Sequence, residues 1–443
     1  MFTKRQLARL IVPLILEQML MGTVGAFDVV MVGVLGETAV SGVSLVTSID
    51  QLVLSAFSAL AAGGAIVCSQ YLGSRQLAQG RLCAVQLLCV AGAFGGAVGL
   101  LCLAGGGPLL RLLYGGAEQA VLQQARRYFV FAALSYPVIA LFNAVSALMR
   151  SIERTKTAMY VSFGMNGANL LLNALLIYGL SWGVAGAGAA SFLSRLGGLF
   201  VLYAMLIKSG HPICPPAFSA WRIEAASIRK ILQVGVPAGV EGAVFHVGKL
   251  LVQSVVTACG TAAIAANAVA LTLTEFLHTP GAGIGLALIT VVGQCIGANE
   301  KAQARRYTRN LIALAYAVMG VLDILVFFFA PLYMALYPGI EAQTAALAVS
   351  VLRWHSVVCF FFWPMGFTMV SALRAAGDVK FPMVVSIASM WVFRVGCSYL
   401  LMALCPQWGL LNVWFAMFLD WVFRALVYWL RYRSDIWLNK RVI

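Results

Sequence analysis

Charge is scarce in this sequence. Only 10% of its 443 residues are Asp, Glu, Lys or Arg, whereas a soluble domain carries about 25%. So little charge cannot cover an aqueous surface, and 62% of the residues are hydrophobic. Apolar windows of ~20 residues, enough to cross a ~30 Å hydrocarbon core, recur along the whole chain. The composition therefore predicts an all-α polytopic membrane protein.

The sequence also lacks the local motifs of other classes of protein. It contains no HExxH motif, and its four histidines (His211, His246, His278 and His355) stand far apart. Its ten cysteines form no CxxC pair and no ligand spacing. The net charge of +15 comes from basic residues at the ends of apolar segments rather than from one basic face, which argues against nucleic-acid binding. We therefore expect no enzymatic activity, no resident metal, no cofactor and no nucleic-acid partner.

Twelve apolar segments are long enough to be transmembrane helices. They are residues 7–31, 43–73, 86–105, 125–150, 159–180, 184–207, 231–258, 262–296, 309–336, 345–374, 383–404 and 409–432. The longest connection, residues 208–230, has three prolines and a polar end. It predicts an N-terminal six-helix lobe over 1–207, a cytoplasmic interlobe linker over 208–230 and a C-terminal six-helix lobe over 231–443.

The distribution of basic residues predicts the orientation of these segments. If both termini are cytoplasmic, the cytoplasmic segments hold 22 Lys and Arg residues and the external segments hold four. Cytoplasmic loops of membrane proteins carry the excess of Lys and Arg. We therefore expect a multi-pass protein of a prokaryotic plasma membrane with both termini in the cytoplasm.

The two halves of the sequence repeat each other at a constant offset of 224 residues. The equivalent pairs include Pro13 and Pro237, Glu17 and Glu241, Gly36 and Gly260, Gln70 and Gln294, Arg81 and Arg305, Arg150 and Arg374, and Lys156 and Lys380. Matches of Pro, Gln and charged residues are not expected by chance between apolar segments. Because six spans is an even number, the halves share one topology, with a pseudo-twofold axis along the membrane normal. Parallel repeats of this kind are a transporter architecture.

Five short motifs carry a resemblance to a known family. They are DVVMVGVLG (28–36), SQYLG (69–73), AANAVAL (265–271), VVGQCIGANE (291–300) and SALRAAGDVKFPM (371–383). With these motifs the chain resembles the multidrug and toxic compound extrusion (MATE) transporters over nearly its full length. The resemblance implies two six-helix lobes around a central cavity, and export of amphipathic organic cations driven by inward H⁺ or Na⁺. It also implies that the acid of the first span, Asp28, takes part in ion coupling.

Ionisable and amide side chains in the first lobe are candidates for ion coupling, because charged groups at membrane depth are costly and usually functional. Asp28 follows Glu17 by 11 residues, which returns to nearly the same helix face ~16 Å further along. Asn166, Asn169 and Asn173 share one face of the fifth span, where amides either coordinate a small cation or bridge helices. We take Asp28, Glu17, Asn169 and Asn173 as the ion-coupling candidates. The alternative for each acid is a buried carboxyl hydrogen-bonded to a neighbouring helix.

The second lobe has charged residues where the chain is otherwise apolar. In VEGAVFHVGK (240–249), Glu241, His246 and Lys249 occupy a helical sector of ~140°. Glu275 and His278 lie three residues apart on the next span and are followed by helix breakers, which favour irregular helix beside a cavity. We predict that these five residues line the substrate cavity and that Glu241 pairs with Lys249 in one state. The alternative is a buried ion-pair network with no role in transport.

Other polar residues at membrane depth have simpler interpretations. Asp420 and Arg424, four residues apart on the last span, are expected to pair with each other. Asp50 is either a partner of the first-lobe acids or an interfacial acid. The chain departs from the family pattern at Phe245, where some branches carry an acid, so the ion chemistry of those branches cannot be transferred.

These observations predict a secondary active transporter that exchanges H⁺ or Na⁺ for an amphipathic organic compound, cationic or zwitterionic, by alternating access. Lys249 argues against a purely cationic substrate. A flippase for lipid-linked precursors is the first alternative, although such proteins have a strongly cationic cavity. An integral membrane enzyme is the second and would need a nucleophile–base pair or a metal cluster. The expected partners are a small organic substrate and the lipid bilayer, with the protein a monomer.

Overall fold

A computed structural model describes residues 2–443 apart from 217, 218, 220 and 338, and only the backbone of residues 21–30. The described chain consists of long helices, and no β-strand occurs within it. The twelve main helices are α1 (Lys4–Gly33), α2 (Glu37–Gly73), α3 (Leu77–Tyr114), α4 (Gln119–Ser151), α5 (Thr155–Gly179), α6 (Gly183–Lys208), α7 (Ala225–Ala258), α8 (Thr261–Gly297), α9 (Lys301–Met334), α10 (Ala342–Ala375), α11 (Lys380–Leu404) and α12 (Leu410–Arg433). Two short 3₁₀ helices, Pro406–Trp408 and Ile436–Asn439, complete the secondary structure after α11 and α12.

Each of the twelve predicted spans falls within one of these helices. In the described part of the chain, eleven helices are long and apolar enough to cross a membrane, and α1 is the twelfth helix of the set. The all-α polytopic fold is therefore confirmed. The chain divides into two compact units, which we name the N-terminal unit (Phe2–Gly239) and the C-terminal unit (Val240–Val442). This division falls inside α7, and α7 begins at Ala225, so the end of the predicted linker is helical.

The repeat seen in the sequence extends to unusual backbone conformations. Positive φ angles occur at three pairs of positions that are 224 residues apart: Gly36 (98°) and Gly260 (94°), Arg75 (59°) and Asn299 (59°), and Glu153 (62°) and Gly377 (97°). Each pair lies in equivalent loops of the two halves, and glycine occupies the positions with the largest φ because it has no Cβ to clash. The offset therefore relates turns of the same geometry as well as helices of the same length.

Small residues allow close helix packing in the N-terminal unit. Gly95 and Gly99 lie one turn apart on α3 and face α4 at Pro137 and Ala133. A Cβ at Gly95 would lie 2.7 Å from the Cβ of Ala140. In lipid, such small residues let helix backbones approach and gain dispersion contacts, since lipid tails provide no hydrophobic driving force between helices.

Three helices contain π-helical turns, which widen a helix and often occur at functional sites. The turns are Ala174–Gly179 in α5, Pro364–Thr368 in α10 and Met390–Gly396 in α11. The last two belong to the C-terminal unit and carry Phe367 and Arg394, which both line the cavity described below.

The segment after the last helix of each unit is anchored by an equivalent arginine. In the N-terminal unit, Arg81 Nε donates a 3.0 Å hydrogen bond to the carbonyl of Cys214 in the segment after α6. In the C-terminal unit, Arg305 Nη1 lies 2.6 Å from Asp435 Oδ2 in the tail after α12. The tail is also held by Trp437, whose side chain is fully buried. Repeat-related arginines thus hold both segments.

Candidate functional site

The C-terminal unit contains a cavity of about 190 Å³ between α7, α8, α10, α11 and α12. Its lining residues are Phe245, Lys249, Leu271, Thr274, Glu275, His278, His355, Trp363, Phe367, Arg394, Trp414, Met417 and Trp421. A second cavity of about 120 Å³ shares Lys249, Glu275, Arg394 and Trp414 with it, so the two are contiguous. Its wall is thus mostly aromatic, with a small number of charged groups.

Aromatic stacking fixes the inner wall of this cavity. The His278 ring stacks on Trp363 with centroids 4.7 Å apart and an interplanar angle of 9°. Trp421 makes edge contacts with both His278 and His355. His278 Nε2 lies 3.2 Å from His355 Nε2, so one ring donates a hydrogen bond to the other. The rings therefore hold one another in a fixed orientation between α8, α10 and α12.

Charged groups are arranged on the same cavity from exposed to buried. Lys249 Nζ lies 3.5 Å from Glu275 Oε1, and both side chains are largely exposed. The Arg394 guanidinium is buried and lies 5.3 Å from the centroid of the Phe245 ring. A cation over an aromatic face gains electrostatic stabilisation when it is removed from water. The cavity therefore offers two cations and one carboxylate beside its aromatic wall.

Three of the five residues predicted for the cavity line it, namely Lys249, Glu275 and His278. Glu241 and His246 are not among its lining residues. His246 is half-buried on the same helix as Lys249. The part of the prediction that concerns α8 and the end of α7 thus agrees with the geometry of this cavity.

The pairing predicted for Glu241 differs in this structure. Glu241 forms an ion pair with Arg374, at the other end of the C-terminal unit's sequence, while Lys249 pairs with Glu275. The equivalent residues of the first half behave in the same way, because Glu17 lies 4.0 Å from Arg150. Glu241 therefore belongs to an ion pair that the repeat has duplicated.

Predicted ion-coupling residues of the N-terminal unit lie in two places. Glu17 is buried and also accepts a 3.3 Å hydrogen bond from Ser162. On α5, Asn173 Nδ2 donates to Asn169 Oδ1, and Asn169 Nδ2 donates to Ser191 on α6. The structure thus joins the two amides in one chain that bridges α5 and α6. The side chain of Asp28 lies outside the described residues.

Two further acids are bonded within their own unit. The carboxylate of Asp50 is buried and accepts a 2.7 Å hydrogen bond from the hydroxyl of Tyr136 on α4. Asp420 lies 2.6 Å from Arg424, so the predicted pair on α12 is confirmed. Ser389 on α11 donates to Asp420 as well, which ties α11 to α12.

The structure brings together residues that the sequence analysis did not connect. His355 on α10 reaches His278 on α8, although 77 residues separate them. Asp323 on α9 is 2% exposed and was not considered. It stands within a predicted span, so the rule that acids at membrane depth are functional candidates would have identified it. The His278–His355 contact had no signal, because helix contacts across a unit leave no sequence spacing.

Comparison with known proteins decides the family. The MatE family model matches residues 13–175 and 237–400, more than half of the chain, and the two matches begin 224 residues apart. The chain belongs to the MATE family. Among its relatives, an uncharacterized transporter, YisQ of Bacillus subtilis, is 25% identical over 436 residues, covering 97% of this chain and 94% of the relative. A probable multidrug resistance protein, NorM of Thermotoga maritima, is 25% identical over 453 residues, covering 99% and 94%.

Solved structures of MATE proteins share the fold of this chain. A MATE crystal structure in the bent conformation superposes with a TM-score of 0.91 at 21% identity, covering 99% of this chain and 96% of the other. A MOP superfamily transporter from Pyrococcus furiosus gives a TM-score of 0.90 at 22% identity, covering 98% and 96%. The expected two-lobe transporter fold of this MATE protein is therefore confirmed.

Proposed function

We propose that this MATE protein is a cation-coupled antiporter that exports amphipathic aromatic compounds, with zwitterions preferred over simple cations. The observation that carries the proposal is the cavity of the C-terminal unit, where an aromatic wall stands beside the Lys249–Glu275 ion pair. The NorM relative is described as a probable multidrug resistance protein, which agrees with export of varied organic compounds.

The size of the cavity favours recognition of one part of a substrate. Pockets that enclose a drug-sized ligand measure about 300–1,000 Å³, and this one measures about 190 Å³. It accommodates a planar ring, and Trp363, Phe367 and Trp421 are the faces against which such a ring would pack. Aromatic pairs contribute about 0.5–1.5 kcal/mol beyond area burial. We therefore assign this cavity the aromatic end of the substrate.

The charges favour a substrate that carries both signs. A cationic group would approach Glu275, and an anionic group would approach Lys249 and Arg394. A simple cation would meet two positive groups for one negative group. The Pyrococcus furiosus relative is described as having a binding pocket of reverse polarity, for which a different function was suggested. Pocket charge is thus the property to test in this chain.

Ion coupling is proposed for the N-terminal unit, at Asp28, Glu17, Asn169 and Asn173. The support is the burial of Glu17, Asn169 and Asn173 at membrane depth. Inward movement of H⁺ or Na⁺ through this group would drive export, with neither a cofactor nor a resident ion required for coupling. We also propose a monomer in the plasma membrane with both termini in the cytoplasm.

A flippase for lipid-linked precursors is the competing function. Such a protein needs a cavity of strongly positive charge for the pyrophosphate, whereas Glu275 lies among the cations here. An enzymatic function has no support from the family or the fold, because both are those of transporters.

Transport into proteoliposomes under separately imposed pH and Na⁺ gradients tests the proposal. Three probes of similar size differ in charge: ethidium as a cation, a fluoroquinolone as a zwitterion and fluorescein as an anion. We expect gradient-driven transport of the zwitterion above that of the cation. Uptake of all three without a gradient, or transport of the anion alone, would contradict it.

Paired variants connect that result to the cavity. Lys249→Met should lower zwitterion transport about tenfold, which corresponds to about 1.4 kcal/mol, and should raise the ratio of cation to zwitterion transport. Lys301→Met is the matched control, because Lys301 is exposed and bonds Asn439 in the C-terminal tail. An unchanged charge preference in Lys249→Met would remove this cavity from the substrate path.

A further inference from the structure

We propose that His278, His355 and Cys359 form a binding site for a thiophilic transition-metal cation such as Zn²⁺. The proposal is independent of the proposed transport function. One ring nitrogen of each histidine and the Cys359 Sγ atom lie within 4.8 Å of one another. Imidazole and thiolate together suit zinc and copper, whereas Na⁺, Mg²⁺ and Ca²⁺ prefer oxygen ligands.

The distances fit a metal with small side-chain movements. Zinc binds imidazole nitrogen at ~2.0–2.1 Å and thiolate sulfur at ~2.3 Å in tetrahedral geometry, so two coordinating nitrogens lie ~3.3 Å apart. The Nε2 atoms of His278 and His355 are 3.2 Å apart. His355 and Cys359 lie one turn apart on α10, so their side chains share a helix face. A metal between the two rings therefore requires chiefly that the Cys359 thiol approach.

The environment of the rings also favours a metal. His355 is fully buried, and its Nδ1 atom has no hydrogen-bond partner among the described residues. Buried polar atoms without partners are uncommon in folded proteins and call for an explanation such as an ion. Stacking on Trp363 and contact with Trp421 hold His278 in place. The ligands are thus oriented before a metal arrives.

Charge balance at the site is supplied by Cys359 and Asp323. Cys359 is fully buried, and the carboxylate of Asp323 lies beside its thiol. Neither oxygen of Asp323 accepts a hydrogen bond of normal geometry within the described residues. A divalent ion bound to the Cys359 thiolate, with the Asp323 carboxylate next to it, would leave no net charge in the apolar interior. The thiol proton would leave to solvent when the metal binds.

The adjoining cavity provides the entry and the space for a fourth ligand. His278 and His355 both line it, and its volume of about 190 Å³ exceeds the ~30 Å³ that a water molecule occupies. Lys249 and Arg394 on the same cavity repel cations, so affinity must come from coordination rather than from charge. A bound metal would join α8 to α10 and fix the inner wall of the cavity.

Titration of chelator-treated, purified protein in detergent with Co²⁺ tests the site, because Co²⁺ replaces Zn²⁺ and reports thiolate ligation by absorption. We expect a thiolate-to-cobalt band that saturates at one ion per chain and disappears when Zn²⁺ is added. Cys359→Ser should abolish the band. His278→Gln and His355→Gln should each weaken binding at least ~100-fold, and Asp323→Asn, outside the ligand set, about 10–100-fold.

Cys295→Ser and His211→Gln are the matched controls, since Cys295 is a buried thiol on α8 outside the cluster and His211 lies in the segment after α6. Both should bind Co²⁺ as the wild type does. X-ray absorption of the zinc-loaded wild type needs no variant and should show one sulfur and at least two nitrogen neighbours. Absence of one-to-one binding, oxygen and nitrogen neighbours only, or an unchanged band in Cys359→Ser would overturn the proposal.

Discussion

At the scale of single residues, the duplicated ion pair is the feature with the clearest consequence. Arg374→Met leaves the carboxylate of Glu241 without its partner, and the two side chains are 24% and 14% exposed. Breaking a fully buried pair costs ~3–5 kcal/mol, so we expect a loss of about 1–3 kcal/mol here, seen as a lower apparent melting temperature. The double variant Glu241→Gln/Arg374→Met should recover part of that loss, because it removes the unpaired charge.

The Lys249–Glu275 pair is the internal control for that experiment. Its side chains are 48% and 70% exposed, and exposed pairs contribute only about 0–1 kcal/mol. Glu275→Gln should therefore leave the melting temperature nearly unchanged. Equal destabilisation by Glu275→Gln and Arg374→Met, or a double variant less stable than Arg374→Met alone, would show that burial does not distinguish the two pairs.

Residue partners were the part of the candidate site that sequence could not supply. Lys249 and Glu241 lie on one helix, and their spacing suggested a pair, but side chains at membrane depth bond across helices. Arg374 lies 133 residues from Glu241. Only the repeat contained a hint, since both the acid and the arginine recur at the 224-residue offset. No comparable hint exists for His278 and His355, whose equivalents in the first half are not histidines.

At the scale of elements, the segment after α6 should respond to pH. Burial and the charge of Arg154 lower the pKa of His211 below its usual value, and the Nδ1 atom of His211 accepts a hydrogen bond from the backbone of Ile213. The folded segment thus favours the neutral ring. Its stabilisation is complete above the unfolded pKa of ~6.5 and is lost as the pH falls through that value towards the lower folded pKa.

Hydrogen exchange of the amides after Lys208, corrected for intrinsic rates, measures this effect. We expect faster exchange at about pH 5.5 than at about pH 7.5, on either side of the ~6.5 value, with no such change in the tail after α12. In His211→Gln the pH dependence should vanish. Persistence of the same dependence in that variant would assign it to another group.

Helix positions were predictable because each span must bury about 20 apolar residues, whatever its neighbours are. The exact ends were less so: α7 begins at Ala225 within the predicted linker, since basic residues such as Arg229 and Lys230 continue a helix beyond the hydrocarbon region. The π-helical turns of α10 and α11 had no sequence signal, because they depend on packing rather than on composition. Arg394 therefore reached the cavity without having been assigned to it.

At the scale of the whole molecule, the repeat and the distribution of basic residues predict one orientation in the membrane. The 22 basic residues assigned to one side include those before α1, after α6 and after α12, and the opposite side has four. Because Lys and Arg are retained in the cytoplasm, Arg222 and Lys440 should face the cytoplasm. Glu118, before α4, and Gln407, before α12, should face the outside. All four side chains are exposed.

Labelling of single cysteines at these four positions, in a variant without the ten native cysteines, tests the orientation. In intact cells, an impermeant maleimide should label Glu118→Cys and Gln407→Cys, and should label Arg222→Cys and Lys440→Cys only after permeabilisation. The pair Arg222 and Lys440 is the most informative, because six helices lie between the two sites. Labelling of these two from opposite sides would require an odd number of crossings between them, and neither the twelve-span topology nor the parallel repeat would then hold.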